Sequence, residues 1–233
     1  MRIAAVILNH NKPGNSDHLF EQLSPVFDQV ELIDSGSDPK LIPIHTTVSS
    51  GNIYWTGGWN LIMERWSDCD AVWMLGCDVT LLDDPESYHT AIESSLPFGA
   101  WSPAVDGRAH PFMQATHYER SPYSVTNIEG ISMALSGPLM RLVGKLPDGS
   151  PIGFGHDFWL CHKARTNGMK NIIDGRVRIH HPLGIGYNEM EAHAQMEKRM
   201  EHYMVQIFVK MCSTTQRVLR VIYRQSKKRR IKR

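Results

Sequence analysis

The sequence has few cysteines and no long apolar run. Cys69, Cys77, Cys161 and Cys212 are scattered and form no C-x-x-C pair, so neither a zinc site nor a disulfide framework is indicated. The apolar run over residues 3–8 is too short for the core of a signal peptide. No stretch reaches the roughly 18 apolar residues that a membrane span needs. These absences favour a soluble protein, which we expect in the cytoplasm.

Acidic residues are absent from the last part of the chain. Residues 217–233 contain nine lysines and arginines and no acid. The rest of the chain has 16 basic residues against 24 acidic ones, so its net charge is negative. This division predicts a globular body with a tail that binds polyanions. The alternative is a solvated tail without a partner.

Short apolar segments alternate with helical segments along the first third of the chain. Residues 3–8, 30–33 and 71–75 are apolar enough to be buried strands. Residues 16–23 and 56–66 have the pattern of helices that follow such strands. Strands that alternate with helices are typical of a parallel, doubly wound α/β sheet.

The middle of the chain has a weaker pattern. Residues 98–130 are rich in proline, histidine and aromatic residues, and we predict loops and short antiparallel strands there. Further elements are predicted as strands over 130–135 and 177–181 and as helices over 138–143 and 157–166.

The last segment has a helical pattern. Apolar side chains recur at three- and four-residue spacing over residues 189–224. We therefore expect one domain over residues 1–188 and a helical extension with a basic tail over residues 189–233.

Polar side chains follow three of the predicted strands. Asn9 and Asn11 follow the first strand, Asp34 ends the second, and Asp78 comes after the apolar strand 71–75. Ligands of open α/β sheets bind at the carboxyl ends of the strands. A carboxylate such as Asp78 can hold a divalent cation against phosphate oxygens, although an aspartate in this position can also cap the next segment.

Two later positions are also candidates for chemistry. Asp157 lies in the first turn of a predicted helix, after the glycines at 153 and 155. It can serve as a general base or as a helix cap. His180 and His181 end the last predicted strand, where they are either metal or phosphate contacts or structural residues.

Taken in order, these motifs resemble glycosyltransferase family 2, a group of sugar transferases with the GT-A fold. The resemblance covers about residues 3–185. Five segments carry it: residues 5–11, 31–38, 52–60, 71–78 and 153–164. It implies a Rossmann-like, mostly parallel sheet flanked by helices. The sequence departs from the family at Gly76, where the first acid of the metal-binding motif is missing, and at His156, which replaces the usual glutamate before the catalytic aspartate.

The family resemblance implies an inverting glycosyltransferase that moves a sugar from a nucleotide-diphosphate donor to a hydroxyl group. It assigns the general base to Asp157. It assigns a Mn²⁺ or Mg²⁺ site to Asp78 and His181. The positions implied for binding the nucleotide sugar are Asn9, Asn11, Asp34, Gly57, Gly58 and Asn60.

The acceptor is argued from the middle segment and the tail. Trp101, His117 and Tyr118 are aromatic side chains that can stack on an acceptor or only pack the core. The residues expected to bind a polyanion are Arg224, Lys227, Lys228, Arg229 and Arg230. We favour DNA with hydroxymethylated pyrimidines as the acceptor. The alternatives are a glycan built at an anionic membrane, or a non-catalytic module of the same fold that binds polyanions.

Overall fold

The computed structural model describes residues 1–107, 109, 113, 121–147, 152–153 and 155–182. Within them, nine strands form one sheet and five α-helices flank it. The strands are β1 Ile3–Asn9, β2 Gln29–Ser35, β3 Val48–Ser50, β4 Ala71–Gly76, β5 Thr80–Leu81, β6 Ala100–Gly107, β7 Pro122–Val125, β8 Ser132–Ser136 and β9 Asn171–His181. The helices are α1 Pro13–Leu23, α2 Tyr54–Trp66, α3 Pro85–Ser95, α4 Gly137–Val143 and α5 His156–Thr166.

The sheet is mixed but most of its strands share one direction. The strand order is β3-β2-β1-β4-β8-β6-β9-β5, and β7 also pairs with β9. The strands β3, β2, β1 and β4 are parallel neighbours. The strand β8 runs against both β4 and β6, while β6 and β9 are parallel. The carboxyl ends of β1, β2, β3, β4, β6 and β9 therefore lie along one edge.

Helices cover both faces of the sheet. Neighbouring side chains of a strand point to opposite faces. Trp73 of β4 stacks on Tyr88 of α3 with ring centroids 5.2 Å apart. The next residue, Met74, lies against Gly58 of α2. α2 and α3 thus lie on opposite faces, which explains why β4 is apolar throughout.

The predicted α/β fold is confirmed, and most predicted elements occur within a few residues of their expected bounds. The helix α3 and the short strand β5 were not predicted. The prediction for 98–130 was wrong in one respect, since β6 is a buried eight-residue strand within the sheet that runs parallel to β9.

Pro103 explains why β6 was hard to predict. A proline removes one donor from a strand and so argues against a central position. Here the register between β6 and β9 shifts between Pro103 and Ala104, which accommodates the proline at an irregularity. Among the described residues, no helix has both the length and the apolar character needed to cross a membrane. The expected extension over residues 189–233 lies outside the described residues.

Candidate functional site

A buried hydrogen-bond network joins the ends of β1 and β2. Asn9 donates from Nδ2 to Asp34 Oδ1 at 2.9 Å and to Ser37 Oγ at 3.0 Å. Ser37 donates from its hydroxyl to the same Asp34 oxygen at 2.5 Å. Ser16 of α1 donates to Asn9 Oδ1 at 2.7 Å. Asn9 and Asp34 are almost fully buried, so their side chains fix the shape of the turn after β2.

Asn11 joins the first turn to the second. Its backbone N–H donates to Ser37 Oγ at 2.8 Å, and its side-chain oxygen accepts from the Asp38 amide at 2.9 Å. Its φ of 57° lies in the left-handed region, which asparagine tolerates better than most residues. Left-handed residues of this kind cluster at ligand sites, and Asn11 is exposed at the edge of the sheet.

Ser35 connects the end of β2 to the start of α2. Its hydroxyl oxygen accepts from the amides of Ile53 and Tyr54 at 3.0 and 3.2 Å. The same hydroxyl donates to Asn52 at 3.1 Å. Tyr54 has a φ of 52°, a second left-handed residue at this edge. The start of α2 is therefore held beside the turn that follows β2.

Asp78 and His181 meet at the same edge. The distance from His181 Nε2 to Asp78 Oδ2 is 3.5 Å, and the side chains are 11% and 30% exposed. Burial raises the pKa of Asp78, but His181 and Lys12 together lower it by more, so the pKa lies below its usual value. An ionised carboxylate beside an imidazole is a suitable pair of ligands for Mn²⁺.

Two contacts hold the turn that carries Asp78. Asn15 of α1 donates from its side chain to the carbonyls of Cys77 and Val79 at 2.8 and 2.9 Å. A side chain at Gly76 would place its Cβ 2.7 Å from Asp78 Oδ1. The missing acid at Gly76 is therefore what leaves room for Asp78 in this orientation. No group of three metal-ligating side chains occurs in the described part of the chain, so a metal here would need ligands from the bound substrate or water.

Asp157 lies at the start of α5, next to the segment that leads into β8. It accepts hydrogen bonds from the amides of Phe158 at 2.8 Å and Gly130 at 3.2 Å. Burial, together with the nearby charge of Glu129, raises the pKa of Asp157 to about 7, although these two amides act in the opposite direction. A carboxylate with a pKa close to neutral is suited to accept a proton. The side chain is also partly exposed.

His156, which replaces the family's glutamate, is fully buried. Its Nδ1 lies 3.0 Å from Thr56 Oγ1 of α2, and its backbone N–H donates to the Gly153 carbonyl at 2.9 Å. His156 thus connects α5 to α2 and faces away from solvent.

Four of the predicted site residues have structural contacts instead. Trp101 is fully buried, and its indole lies 3.5 Å from Asp174 Oδ2, so the prediction that it binds the acceptor is wrong. Gly57 and Gly58 lie inside α2, in agreement with the helix predicted over 56–66. Gly58 packs against Leu8 and Met74.

Asn60 is the fourth. Its side-chain oxygen accepts from the Leu146 amide at 2.7 Å, so it holds the segment after α4. Two further acceptor candidates, His117 and Tyr118, lie outside the described residues. The same holds for the five tail cations that were predicted to bind a polyanion: Arg224, Lys227, Lys228, Arg229 and Arg230.

Sequence reasoning missed Lys12, Asn15 and Ser37 as members of the site. Each acts on a residue distant along the chain. The charge of Lys12 lowers the pKa of Asp78, and Asn15 donates to the carbonyls on either side of Asp78. Ser37 accepts from Asn9 and from the amide of Asn11. Ser37 carried a signal, since a serine three residues after an aspartate is typical of a side-chain-stabilised turn. Lys12 and Asn15 gave none beyond their place after the first strand.

The pKa of Asp157 predicts how stability depends on pH. Between about pH 4 and pH 7 the folded chain keeps a proton that the unfolded chain releases, so stability falls as the pH rises. Asp157→Asn has no such charge. We compare the melting temperature of the variant with that of the wild type at each pH. From pH 5 to pH 8 this difference should change by about 3 °C or more in favour of the variant. The control is Asp84→Asn, an exposed aspartate without a side-chain cap hydrogen bond. The same difference in melting temperature at both pH values would contradict a raised pKa of Asp157.

Comparisons with known proteins bear on the fold. No protein-family model and no curated protein matches the sequence. A solved structure of GalNAc-T7 with UDP, GalNAc and Mn²⁺ is similar with a TM-score of 0.62 and 12% identity, over 80% of this chain and 44% of that one. Two structures of S. aureus TarS 1-349 are also similar. The complex with UDP-GlcNAc has a TM-score of 0.60 and 13% identity, over 80% of this chain and 60% of that one.

The second TarS structure has a TM-score of 0.59 and 13% identity, over 84% of this chain and 69% of that one. The chain thus spans less than half of the GalNAc-T7 chain and about two thirds of the TarS chains. At these identities the similarity concerns the fold. The chain has the GT-A type of fold found in these glycosyltransferases.

Proposed function

We propose that the protein transfers a sugar from a nucleotide-diphosphate donor to a hydroxyl acceptor. The observation that carries this proposal is the Asp78–His181 pair, which lies at the carboxyl edge of a GT-A sheet beside the Asn9–Asp34 turn. Ligands of open α/β sheets bind at this edge. The similar structures contain UDP or UDP-GlcNAc, so uridine diphosphate sugars are the first donors to test.

Two sets of polar residues lie at this edge, and we assign one to the nucleoside and the other to the diphosphate of the donor. The turn held by Asp34 exposes Asn11 and His10 beside the end of β2 and would contact the nucleoside. Asp34 itself is buried and accepts hydrogen bonds from Asn9 and Ser37, so we assign it the role of holding this turn. Asp78, His181 and Lys12 would face the diphosphate.

A divalent metal fits the pair. Asp78 and His181 would hold Mn²⁺ or Mg²⁺ with one oxygen and one nitrogen ligand. Bound there, the metal supplies positive charge to the diphosphate oxygens. Lys12 adds a positive charge near Asp78, so the leaving group would not depend on the metal alone.

Asp157 is the proposed base for an inverting transfer. Its carboxylate takes the proton of the acceptor hydroxyl. The acceptor oxygen forms a bond to the anomeric carbon while the bond from that carbon to the diphosphate oxygen breaks. The diphosphate leaves with the electron pair. A single displacement of this kind inverts the configuration of the anomeric carbon.

Asp157→Asn tests this assignment. It removes the base and keeps the shape, so we expect kcat to fall on the order of 10²–10⁴-fold. Binding of UDP, measured by calorimetry, should stay within about twofold, because Asp157 would not contact the nucleotide. Asp84→Asn serves as the control with unchanged kcat. If Asp157→Asn transfers sugar at the wild-type rate, Asp157 only caps α5.

The metal prediction uses a chelator and three variants. Activity should fall in EDTA and return with Mn²⁺ or Mg²⁺. Asp78→Ala and His181→Ala should lose this recovery. Gly76→Ala should weaken it, because the new methyl group would displace the Asp78 carboxylate. Activity that is undiminished in EDTA would show that Lys12 and other cations stabilise the diphosphate without a metal.

The acceptor proposal rests on the sequence of the tail. Nine cations without an acid in residues 217–233 favour a polyanionic partner, and DNA with hydroxymethylated pyrimidines is our first candidate. A glycan at an anionic membrane is the second candidate. We propose that residues 1–188 form the catalytic domain and that residues 189–233 form its extension. The cytoplasm is the proposed location.

Removal of residues 225–233 tests the tail. Binding of duplex DNA by the full chain should weaken about 500-fold over a fourfold rise in salt if five phosphates are contacted. The truncated chain should bind more weakly with a smaller salt slope and an unchanged melting temperature. Anionic vesicles at the same ionic strength are the comparison. Strong vesicle binding with weak DNA binding and no transfer to modified DNA would refute DNA as the acceptor. Polyanion binding with no transfer to any acceptor would favour the non-catalytic module.

A further inference from the structure

The indole of Trp55 lies between two glycines that precede functional elements. A Cβ added to Gly130 would lie 2.6 Å from the Trp55 ring, and one added to Gly153 would also lie 2.6 Å from it. Gly130 comes shortly before β8, and Gly153 comes shortly before α5. Real Cβ atoms essentially never approach so closely, so only glycine permits this packing at either position.

Trp55 is linked to Asp157 through Gly130. Trp55 donates from Nε1 to the Gly130 carbonyl at 2.7 Å. The amide of the same glycine donates to Asp157 Oδ2 at 3.2 Å. A glycine has an unusually wide choice of backbone conformations, so its amide can turn unless neighbouring contacts restrict it. The indole holds the carbonyl of Gly130 and its ring lies against the Gly130 backbone. Both contacts restrict how the amide can turn.

A second link joins α2 to the other side of Asp157. Thr56, the neighbour of Trp55, lies 3.0 Å from Nδ1 of His156. The amide of His156 donates to the carbonyl of Gly153, which is the glycine on the other side of the indole. Residues of α2 thus contact both segments that flank the carboxylate.

We propose that Trp55 is a positioning residue that fixes the orientation of the Asp157 carboxylate by holding the Gly130 amide toward it. The catalytic part of this inference rests on the proposed function of Asp157 as the base. No role for Trp55 follows from the nucleotide-binding edge, because its contacts run to the segments before β8 and α5.

The charged and polar groups around Asp157 determine how its pKa would change if the hydrogen bond from the Gly130 amide were lost. Glu129 lies in the segment before β8 and its charge raises the pKa of Asp157. His156 precedes Asp157 on α5. On the same helix, the charge of Asp157 contributes to a raised pKa of Cys161. The largest contributions to the pKa of Asp157 come from burial, from backbone amides and from Glu129, and none of these is a cation. A misdirected Gly130 amide would therefore leave the ionised carboxylate less stabilised and raise its pKa.

Trp55→Phe tests the inference because it keeps a ring and removes the donor. The matched control is Trp66→Phe, a buried tryptophan at the other end of α2, about 16 Å away along the helix axis. Gly130→Ala provides a second perturbation, since its methyl group would push against the indole. Asp157 is followed in full-length protein labelled with ¹³C-carboxyl aspartate, and its signal is identified by its loss in Asp157→Asn.

We expect Asp157 to titrate near pH 7 in the wild type and in Trp66→Phe, and about one pH unit higher in Trp55→Phe and Gly130→Ala. With transfer measured at pH 7, kcat of Trp55→Phe should fall about fivefold or more, since fewer carboxylates are ionised. The KM for the donor should change less than twofold.

The titration and the kinetics separate the two proposals. If folded Trp55→Phe and Gly130→Ala both titrate at the wild-type midpoint, the inference about Trp55 is overturned, whatever the transfer rates. If the midpoint shifts but the wild type transfers no sugar, Trp55 does orient the carboxylate, and the proposed function is refuted.

Discussion

The parallel pairing of β1 with β2 and β4 holds the ends of three strands in one register. Asn9 lies opposite Asp34 on one side, and Leu8 lies opposite Gly76 on the other. A slip of one residue would turn every side chain of β1 to the other face of the sheet. Asn9 would then lose Asp34, and the turn that carries Asp78 would lose its place beside it. The apolar residues of β1, buried on both faces, make such a slip costly, so the core also fixes the site.

The two carboxylates proposed for function have opposite environments. Asp78 is beside His181 and Lys12, which keep its pKa low in spite of burial. Burial and the charge of Glu129 raise the pKa of Asp157 to about 7. Such a separation is typical of sites in which one carboxylate stays ionised to balance positive charge and another exchanges a proton. It agrees with Asp78 as a metal ligand and with Asp157 as a base.

The sequence was sufficient to predict the parts of the molecule that depend on local pattern. The apolar runs of β1 and β4 and the aspartates after the strands are such parts. It was insufficient where a contact spans the chain. The central strand β6 was not predicted because it contains Pro103, and the irregular pairing with β9 that accommodates this proline is not visible in the sequence. The contact of Gly58 with Leu8 and Met74 of the sheet, which requires a small residue, was not predicted either. The link from Trp55 to Asp157 joins residues about a hundred positions apart, and no spacing rule reaches that far.

A crystal structure with UDP and Mn²⁺ tests the central claim most directly. The account predicts the diphosphate beside Asp78 and His181, with the metal bound to both side chains. It places the nucleoside at the turn that Asn9 and Asp34 hold together. A nucleotide bound away from the carboxyl ends of β1, β2 and β4, or a metal that contacts neither Asp78 nor His181, would contradict it.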